Sequence, residues 1–321
     1  MSRFTVYVTD DRYGSYKEEE AVLNGIDAKL VVRNFTDEDE AVRELADADG
    51  ILVNMFPMTA RVIASLTHCR VLSRYGVGFD NVDVEAATKK GIWVTRVPDY
   101  SLEDVSDQAL AMIMASVRKI AYKDRKVREG KWNLHKDQPC FRMTGKVLGL
   151  VGYGAIARTL HRKVGGFNLS KVMVYDPFVK PETIRSAGGD PCDLETLLKG
   201  SDYVSVHVPL MDSTRGMIGG KQLSLMKKTA ILVNTSRGPV LDEKAVAKAL
   251  ADGGIAGAGL DVFEKEPLPM DSPLRKLDNV ILSDHAGWYS EESVVELKTK
   301  AARNIAEILT GKAPTYPVNK V

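Results

Sequence analysis

Four apolar runs of this chain each lead into side chains that can do chemistry. YVSVHVPL delivers His207, Val208 and Pro209, and AILVNTSRG delivers Thr235, Ser236 and Arg237. AGLDVFEKEPLP delivers Asp261 and Glu266, and NVILSDHAGW delivers His285. A histidine suits proton transfer because its pKa lies near neutral pH. A carboxylate such as Glu266 beside it would orient the ring and favour its charged form. An arginine such as Arg237 can bind a carboxylate through two parallel hydrogen bonds and polarise the carbonyl next to it. Ketone reduction needs a hydride on carbon and a proton on oxygen. Beside a nicotinamide, this trio fits a 2-keto acid or its 2-hydroxy acid product. Simpler roles are open for each residue. Arg237 could cap a turn, Glu266 could be a solvated charge beside Lys265, and Asp261 could bond local amides. His207, on an apolar run, reads as lining a cofactor or as satisfied in place. His68, His135 and His161 lie among charges or on helix faces and read as surface residues.

The hydride carrier has its own signature. KVLGLVGYGAIARTLHRKV places Gly152, Gly154 and Ala157 in a G-x-G-x-x-A pattern, with Tyr153, Ala155 and Ile156 completing the turn. The first glycine permits the tight turn, the second lets backbone approach a pyrophosphate, and the alanine lets the helix pack on the strand. The helix that follows offers free N–H groups and the positive end of its dipole. Alone the pattern is weak, but a strand precedes it and the next apolar run ends in Asp176, 24 residues after Gly152. A carboxylate there can bind the adenosine ribose hydroxyls and repels the extra phosphate of NADP, so the cofactor expected is NAD.

The elements that must position these residues alternate between short apolar runs and helical patterns. FTVYVTD, AKLVVRN, GILVNM, RVLSRYG, GIWVTRV, KVLGLVGYG, KVMVYD, YVSVHVPL, AILVNTSRG, AGAGLDVF and NVILSDH read as strands. Segments such as DEDEAVRELADA and DEKAVAKALADGG between them are helical in spacing. The pattern predicts α/β architecture with parallel sheets covered by helices on both faces. Ligands of such sheets bind beyond the carboxyl ends of the strands, where the polar residues above fall. A boundary lies near residue 100. The segment from Ser101 reads as a helix too apolar for a one-sided surface helix, expected between layers, domains or subunits.

The chain has 321 residues, 44% of them hydrophobic, and a formal net charge of +1. That suits about two domains with substantial cores and gives no footprint for nucleic acid or membrane. The longest apolar stretch, ALAMIMASV at 109–117, is about half what a bilayer requires. The opening MSRFTVYVTDDRYG alternates like a strand and meets charge at once, unlike a signal peptide. Cys69, Cys140 and Cys192 are odd in number, far apart and without metal-ligand spacing. A soluble, cytoplasmic protein without a catalytic metal is expected.

At these residues the chain closely resembles the D-isomer-specific 2-hydroxyacid dehydrogenases. The likeness runs through RYGVGFDNVDVEAATKKGI, VGYGAIA, HVPLMDSTRGMI, NTSRGPVLDEKAVAKAL, AGLDVFEKEPLP and the histidine segment, and so covers nearly the whole length. It implies two doubly wound parallel-sheet (Rossmann-like) domains. The substrate domain, discontinuous in sequence, would hold 1–100 plus 290–321, and the NAD-binding domain 101–289. It implies Arg237 as the carboxylate-binding arginine, Glu266 rather than Glu264 as the histidine's partner, and His285 as the acid–base. Cofactor contacts would come from Gly152, Tyr153, Gly154, Ala155, Ile156, Asp176, His207, Val208, Pro209, Thr214, Thr235, Ser236, Arg237, Asp261, His285 and Gly287. The substrate carboxylate would meet the backbone amides of Val77 and Gly78, with Arg74 and Tyr75 lining the same site. The helix from Ser101 would help form a homodimer.

HAGWYSEES is similar to the C-terminal-binding-protein branch and its bacterial, phosphoglycerate-dehydrogenase-like relatives, which implies that Trp288 walls the substrate pocket. Plain core packing of Trp288 is the alternative. The sequence runs to Val321, so the regulatory domain of the longer phosphoglycerate dehydrogenases is expected to be absent. The activity implied is hydride transfer between NAD and a small 2-keto/2-hydroxy acid of the glyoxylate, hydroxypyruvate or 3-phosphoglycerate class. A phosphorylated substrate would need extra cations, for which Arg61 or Arg74 could serve. The alternative is an NADH-sensing, corepressor-like binding protein with little turnover.

Overall fold

The computed structural model describes residues 2–133 and 139–321. The chain divides into two compact units, one of Met1–Ser101 with Ser290–Val321, the other of Leu102–Tyr289. His135 lies outside the described residues.

The first unit holds β1 (Phe4–Val8), β2 (Ala28–Val32), β3 (Gly50–Val53), β4 (Val71–Arg74) and β5 (Trp93–Thr95), all parallel, in the order β2-β1-β3-β4-β5. β3 is buried along its whole length, which is why GILV has no polar alternation. One face of the sheet is covered by Phe35, Leu45, Val62, Ile63 and Leu66 from the intervening helices and loops. Toward the chain's end, the helix Glu291–Leu309 buries Leu297, Ala301, Ala302, Ile305 and Ile308. Ser73 of β4 donates to the Ala301 carbonyl at 2.9 Å, which ties that helix to the sheet. Each fully buried aliphatic chain of this kind contributes roughly 1.5–3 kcal/mol. The tail then docks beside β5, with Val94 donating to Asn319 Oδ1 at 2.7 Å.

The second unit holds β6 (Val147–Val151), β7 (Lys171–Tyr175), β8 (Asp190–Pro191), β9 (Tyr203–Val206), β10 (Ile231–Asn234), β11 (Gly257–Leu260) and β12 (Val280–Leu282). They form one parallel sheet in the order β12-β11-β10-β9-β6-β7-β8. Leu197, Val204, Leu232, Val246 and Leu260 fill one face, and Ile113, Leu150, Leu160, Val174 and Val233 the other. The strand order reverses between β6 and β9, which opens a crevice at their carboxyl ends. The glycine turn follows β6 and His207 follows β9, so both stand at that switch point.

All eleven strands read from the sequence form; β8 is the addition, too short at two residues to leave an alternation pattern. The helix from Ser101 spans Leu102–Arg118 and stops where Lys119 turns left-handed, at φ 56°. A second helix, Ile120–Arg128, follows it directly. Ala109, Met112, Ile113 and Val117 of the first helix are buried against their own unit's core. Its apolar excess is therefore largely used within the unit. Among the described residues, no helix is long and apolar enough to cross a membrane, and no disulfide links the three cysteines.

Candidate active site

The loop after β12 carries His285 in the left-handed region, at φ 58°. That conformation costs a residue with a Cβ roughly 1–2 kcal/mol, so something must hold it. Asp261, just past β11 and 1% exposed, does so. Its carbonyl accepts the His285 amide at 2.8 Å. Its Oδ1 accepts the Ala286 amide at 3.0 Å and its Oδ2 the Gly287 amide at 2.9 Å. Bonds to a charged acceptor are worth about 1.5–3 kcal/mol each, enough to offset the strain. A Cβ at position 287 would stand 2.8 Å from Asp261 Oδ2, so only glycine lets the loop lie this close.

The His285 ring then meets Glu266, with Nδ1 2.7 Å from Oε2; both side chains are about two-thirds buried. The other carboxylate oxygen of Glu266 accepts the Phe263 amide at 3.0 Å. Burial pushes the Glu266 carboxyl pKa up. The His285 hydrogen bond and charge, the Phe263 amide and the charge of Arg237 outweigh it, leaving the carboxyl below its usual range. The carboxylate thus accepts from Nδ1–H, which leaves Nε2 to face a reactant. Arg237 follows β10 in a turn built by Asn234. Asn234 Oδ1 accepts from the Ser236 amide and hydroxyl at 3.0 and 2.8 Å, and its Nδ2 donates to the Arg237 carbonyl at 2.9 Å.

Around the switch point, Gly152 has φ 90°, and a Cβ there would press on the His207 backbone at 2.9 Å. The space beside Gly154 is open, and the helix Ala155–Lys163 starts there without a side-chain cap. Asp176 accepts the Tyr153 amide on Oδ2 at 2.7 Å and the Phe178 and Val179 amides on Oδ1. It therefore braces the turn and stays partly exposed. Thr235 Oγ1 is buried with no hydrogen-bond partner, although it stands at the carboxyl edge of β10. A buried hydroxyl left unsatisfied is costly; together with the open approach at Gly154, it fits a polar dinucleotide lying along this edge.

Several expected contacts change character. The Tyr153 side chain is buried, its hydroxyl 2.7 Å from His161 Nδ1, and so is turned into its own unit's core. His161 is accordingly not a plain surface residue, and burial lowers its pKa. Thr214 is 7% exposed, and its hydroxyl donates to the Pro209 carbonyl at 2.7 Å, holding the loop that carries Val208 and Pro209. His207 lies 2.9 Å from Ser205 Oγ through Nε2, and burial pushes its pKa down to about 4. It is neutral at neutral pH and no proton carrier there. Trp288 is partly buried and stands edge-on to Tyr289, with centroids 5.7 Å apart.

In the other unit, the Tyr75 side chain is 2% exposed, its hydroxyl donates to Glu19 at 2.8 Å and its ring stands edge-on to Tyr13. Arg74 folds back on the Tyr75 carbonyl. The Val77 and Gly78 amides have no acceptor among the described residues. Arg61 pairs with Glu38 and Asp39 at the surface.

Sequence reasoning missed Gln108, Ser283 and Asn234. Gln108 donates to Ser283 Oγ at 3.0 Å, and Ser283 donates to Asp261 Oδ1 at 2.5 Å. The signal was a polar residue set three and four positions from Val105 and Met112, on the buried stripe of its helix. A cavity of about 340 Å³ lies at the opposite, amino-terminal edge of this sheet, lined by Ser116, Lys119, Tyr203 and Asn279 among others. It shares no residue with the His285 cluster.

Residues 110–287 match the model for the NAD-binding domain of the D-isomer specific 2-hydroxyacid dehydrogenases. A glyoxylate reductase of Korarchaeum cryptofilum is 42% identical over 91% of this chain and 86% of its own. A D-3-phosphoglycerate dehydrogenase of Methanocaldococcus jannaschii is 38% identical over 88% of this chain and 53% of its own. The holo form of Rhodotorula graminis D-mandelate dehydrogenase superposes with a TM-score of 0.90 at 30% identity, over 100% of this chain and 99% of that one. With more than half its length matched by the family model, and likeness to relatives over most of the rest, the chain belongs to the D-isomer specific 2-hydroxyacid dehydrogenases and is an NAD-dependent oxidoreductase of that family.

Proposed function

We propose that the protein reduces small 2-keto acids with NADH, with glyoxylate as the leading substrate and hydroxypyruvate next. The single observation that carries the reading is the His285–Glu266 pair at 2.7 Å with the charge of Arg237 beside it. The glyoxylate reductase among its relatives supports the substrate class. Bound NADH supplies the hydride. Glu266 holds Nδ1–H, so His285 Nε2 gives its proton to the keto oxygen in reduction and takes it back in oxidation. Arg237 grips the acid and polarises the carbonyl. The amides of Val77 and Gly78 are the backbone donors we assign to the substrate carboxylate, and Trp288 the wall beside His285. Asp176 is assigned to the adenosine ribose, and Thr235, Ser236, Asp261 and the Val208–Pro209 backbone to the cofactor's nicotinamide half.

The first unit, Met1–Ser101 with Ser290–Val321, is then the substrate domain. We read the protein as a cytoplasmic homodimer. Exposed Ile120, Val127, Trp132 and Phe141, on or after the helix Ile120–Arg128, support a subunit contact there. The intact acid–base pair does not favour a sensor with little turnover. The test is NADH oxidation by the purified protein with glyoxylate, hydroxypyruvate and 3-phosphohydroxypyruvate. Turnover of one of them is expected. His285→Ala should lose about 10²–10⁴-fold in kcat and Glu266→Gln about 10²-fold, both with NADH affinity intact. Near-normal turnover by His285→Ala would remove the proton-donor role.

A further inference from the structure

The three amides of the loop that carries His285, at residues 285, 286 and 287, are all held by Asp261. Asp261 is in turn tied, through Ser283, to the helix Leu102–Arg118. We infer that Gln108 on that helix is a positioning residue for proton transfer, acting through Ser283 and Asp261 on His285. The inference rests on the role given to His285 above.

The direction of the hydrogen bonds makes the case. Ser283 Oγ accepts from Gln108 Nε2 at 3.0 Å, so its own single proton is left for Asp261 Oδ1 at 2.5 Å. Oδ1 then holds the Ser283 hydroxyl and the Ala286 amide together, and Oδ2 the Gly287 amide. The Gln108 side chain also lies flush under the loop, since a Cβ at position 287 would stand 3.2 Å from its Cγ. Asp261 is thus aimed by Gln108 on one side and aims the loop on the other. His285 is in the left-handed region, so a small rotation of its backbone swings the imidazole away from Glu266. A misplacement of about 1 Å in a reacting group can cost on the order of 10²-fold in rate. A helix is a rigid element on which to anchor such a group.

The test compares Gln108→Leu, Gln108→Glu, Ser283→Ala, Ser283→Thr and the double variant Gln108→Leu/Ser283→Ala, measuring kcat, KM, the pH profile of kcat, NADH affinity and melting temperature. Gln108→Leu and Ser283→Ala should lower kcat about tenfold or more, with KM for the keto acid within about twofold. Gln108→Glu offers acceptors only, so it turns the Ser283 proton away from Asp261 and should also displace the pH profile. Ser283→Thr keeps the hydroxyl and should restore most of the rate. The double variant should be no worse than the weaker single one, because both changes cut one path. An unchanged kcat and pH profile in Gln108→Glu, multiplying losses in the double variant, or losses confined to NADH affinity or melting temperature would overturn the inference. If the unmodified protein turns over no 2-keto acid, the functional reading fails instead. The positioning claim is then judged by NMR titration of the His285 imidazole, which must move in Gln108→Glu.

Discussion

Two ionisable residues at the carboxyl edge of the second sheet are held in opposite ways. Glu266 is kept ionised although partly buried, because His285 and Arg237 supply compensating charge. His207 is kept neutral, its pKa pushed down to about 4 by burial. The second case has a consequence for stability. An unfolded histidine titrates near 6.5. Below that pH the unfolded chain takes up a proton that folded His207 refuses, so stability is fully present above about pH 6.5 and is lost as pH falls toward 4. From about pH 7 to about pH 5 the loss should be about 2 kcal/mol from this residue. His207→Gln keeps a partner for Ser205 and should flatten that part of the slope. Urea midpoints of both proteins at the two pH values measure it, and equal slopes would rule the residue out.

Among the elements, the helix Glu291–Leu309 depends on one buried ion cluster. Lys298, 3% exposed, lies 2.6 Å from Glu18 and 3.5 Å from Glu19, and donates to the Ser15 carbonyl at 2.5 Å. Glu19 is fully buried, and burial raises its pKa against the pull of Tyr75 and Lys298. Lys298→Ala strands that carboxyl and should cost about 3–5 kcal/mol. Glu19→Gln, which can still accept from Tyr75, should cost much less. Denaturant unfolding of the two variants decides the order.

None of this cluster was legible in the sequence, because EEE and ELKTKAA look like ordinary solvated helix faces until the helix is docked. The strands were legible because burial on both faces leaves apolar runs such as AILV and YVSV. The site's first members were legible because His285, Glu266 and Arg237 follow such runs within a few residues. The inward turn of the Tyr75 ring onto Tyr13 was not legible, because Tyr75 too follows a strand. Gln108 escaped notice because it sits far along the chain from the loop it steadies.

For the whole molecule, the second unit is continuous in sequence and the first is not. A chain ending at Tyr289 should therefore keep the second unit folded and lose the first, which lacks Leu297, Ala301, Ile305 and the tail beside β5. Limited proteolysis with mass mapping should find cuts throughout 1–101 and protection across 102–289. Uniform protection would show that the first sheet stands without its last helix.

The same discontinuity sets a timetable for synthesis. The first sheet leaves the ribosome with one apolar face bare, and the helix that covers it is made last. At about 5–20 residues per second, the wait while the second unit is made is on the order of 10–40 s. For that interval a nearly finished sheet, with β3 and β4 uncovered, is exposed to every other nascent chain nearby. Joining Ser290–Val321 ahead of Met1 in a circularly permuted gene would supply the covering helix first and should shorten that exposure.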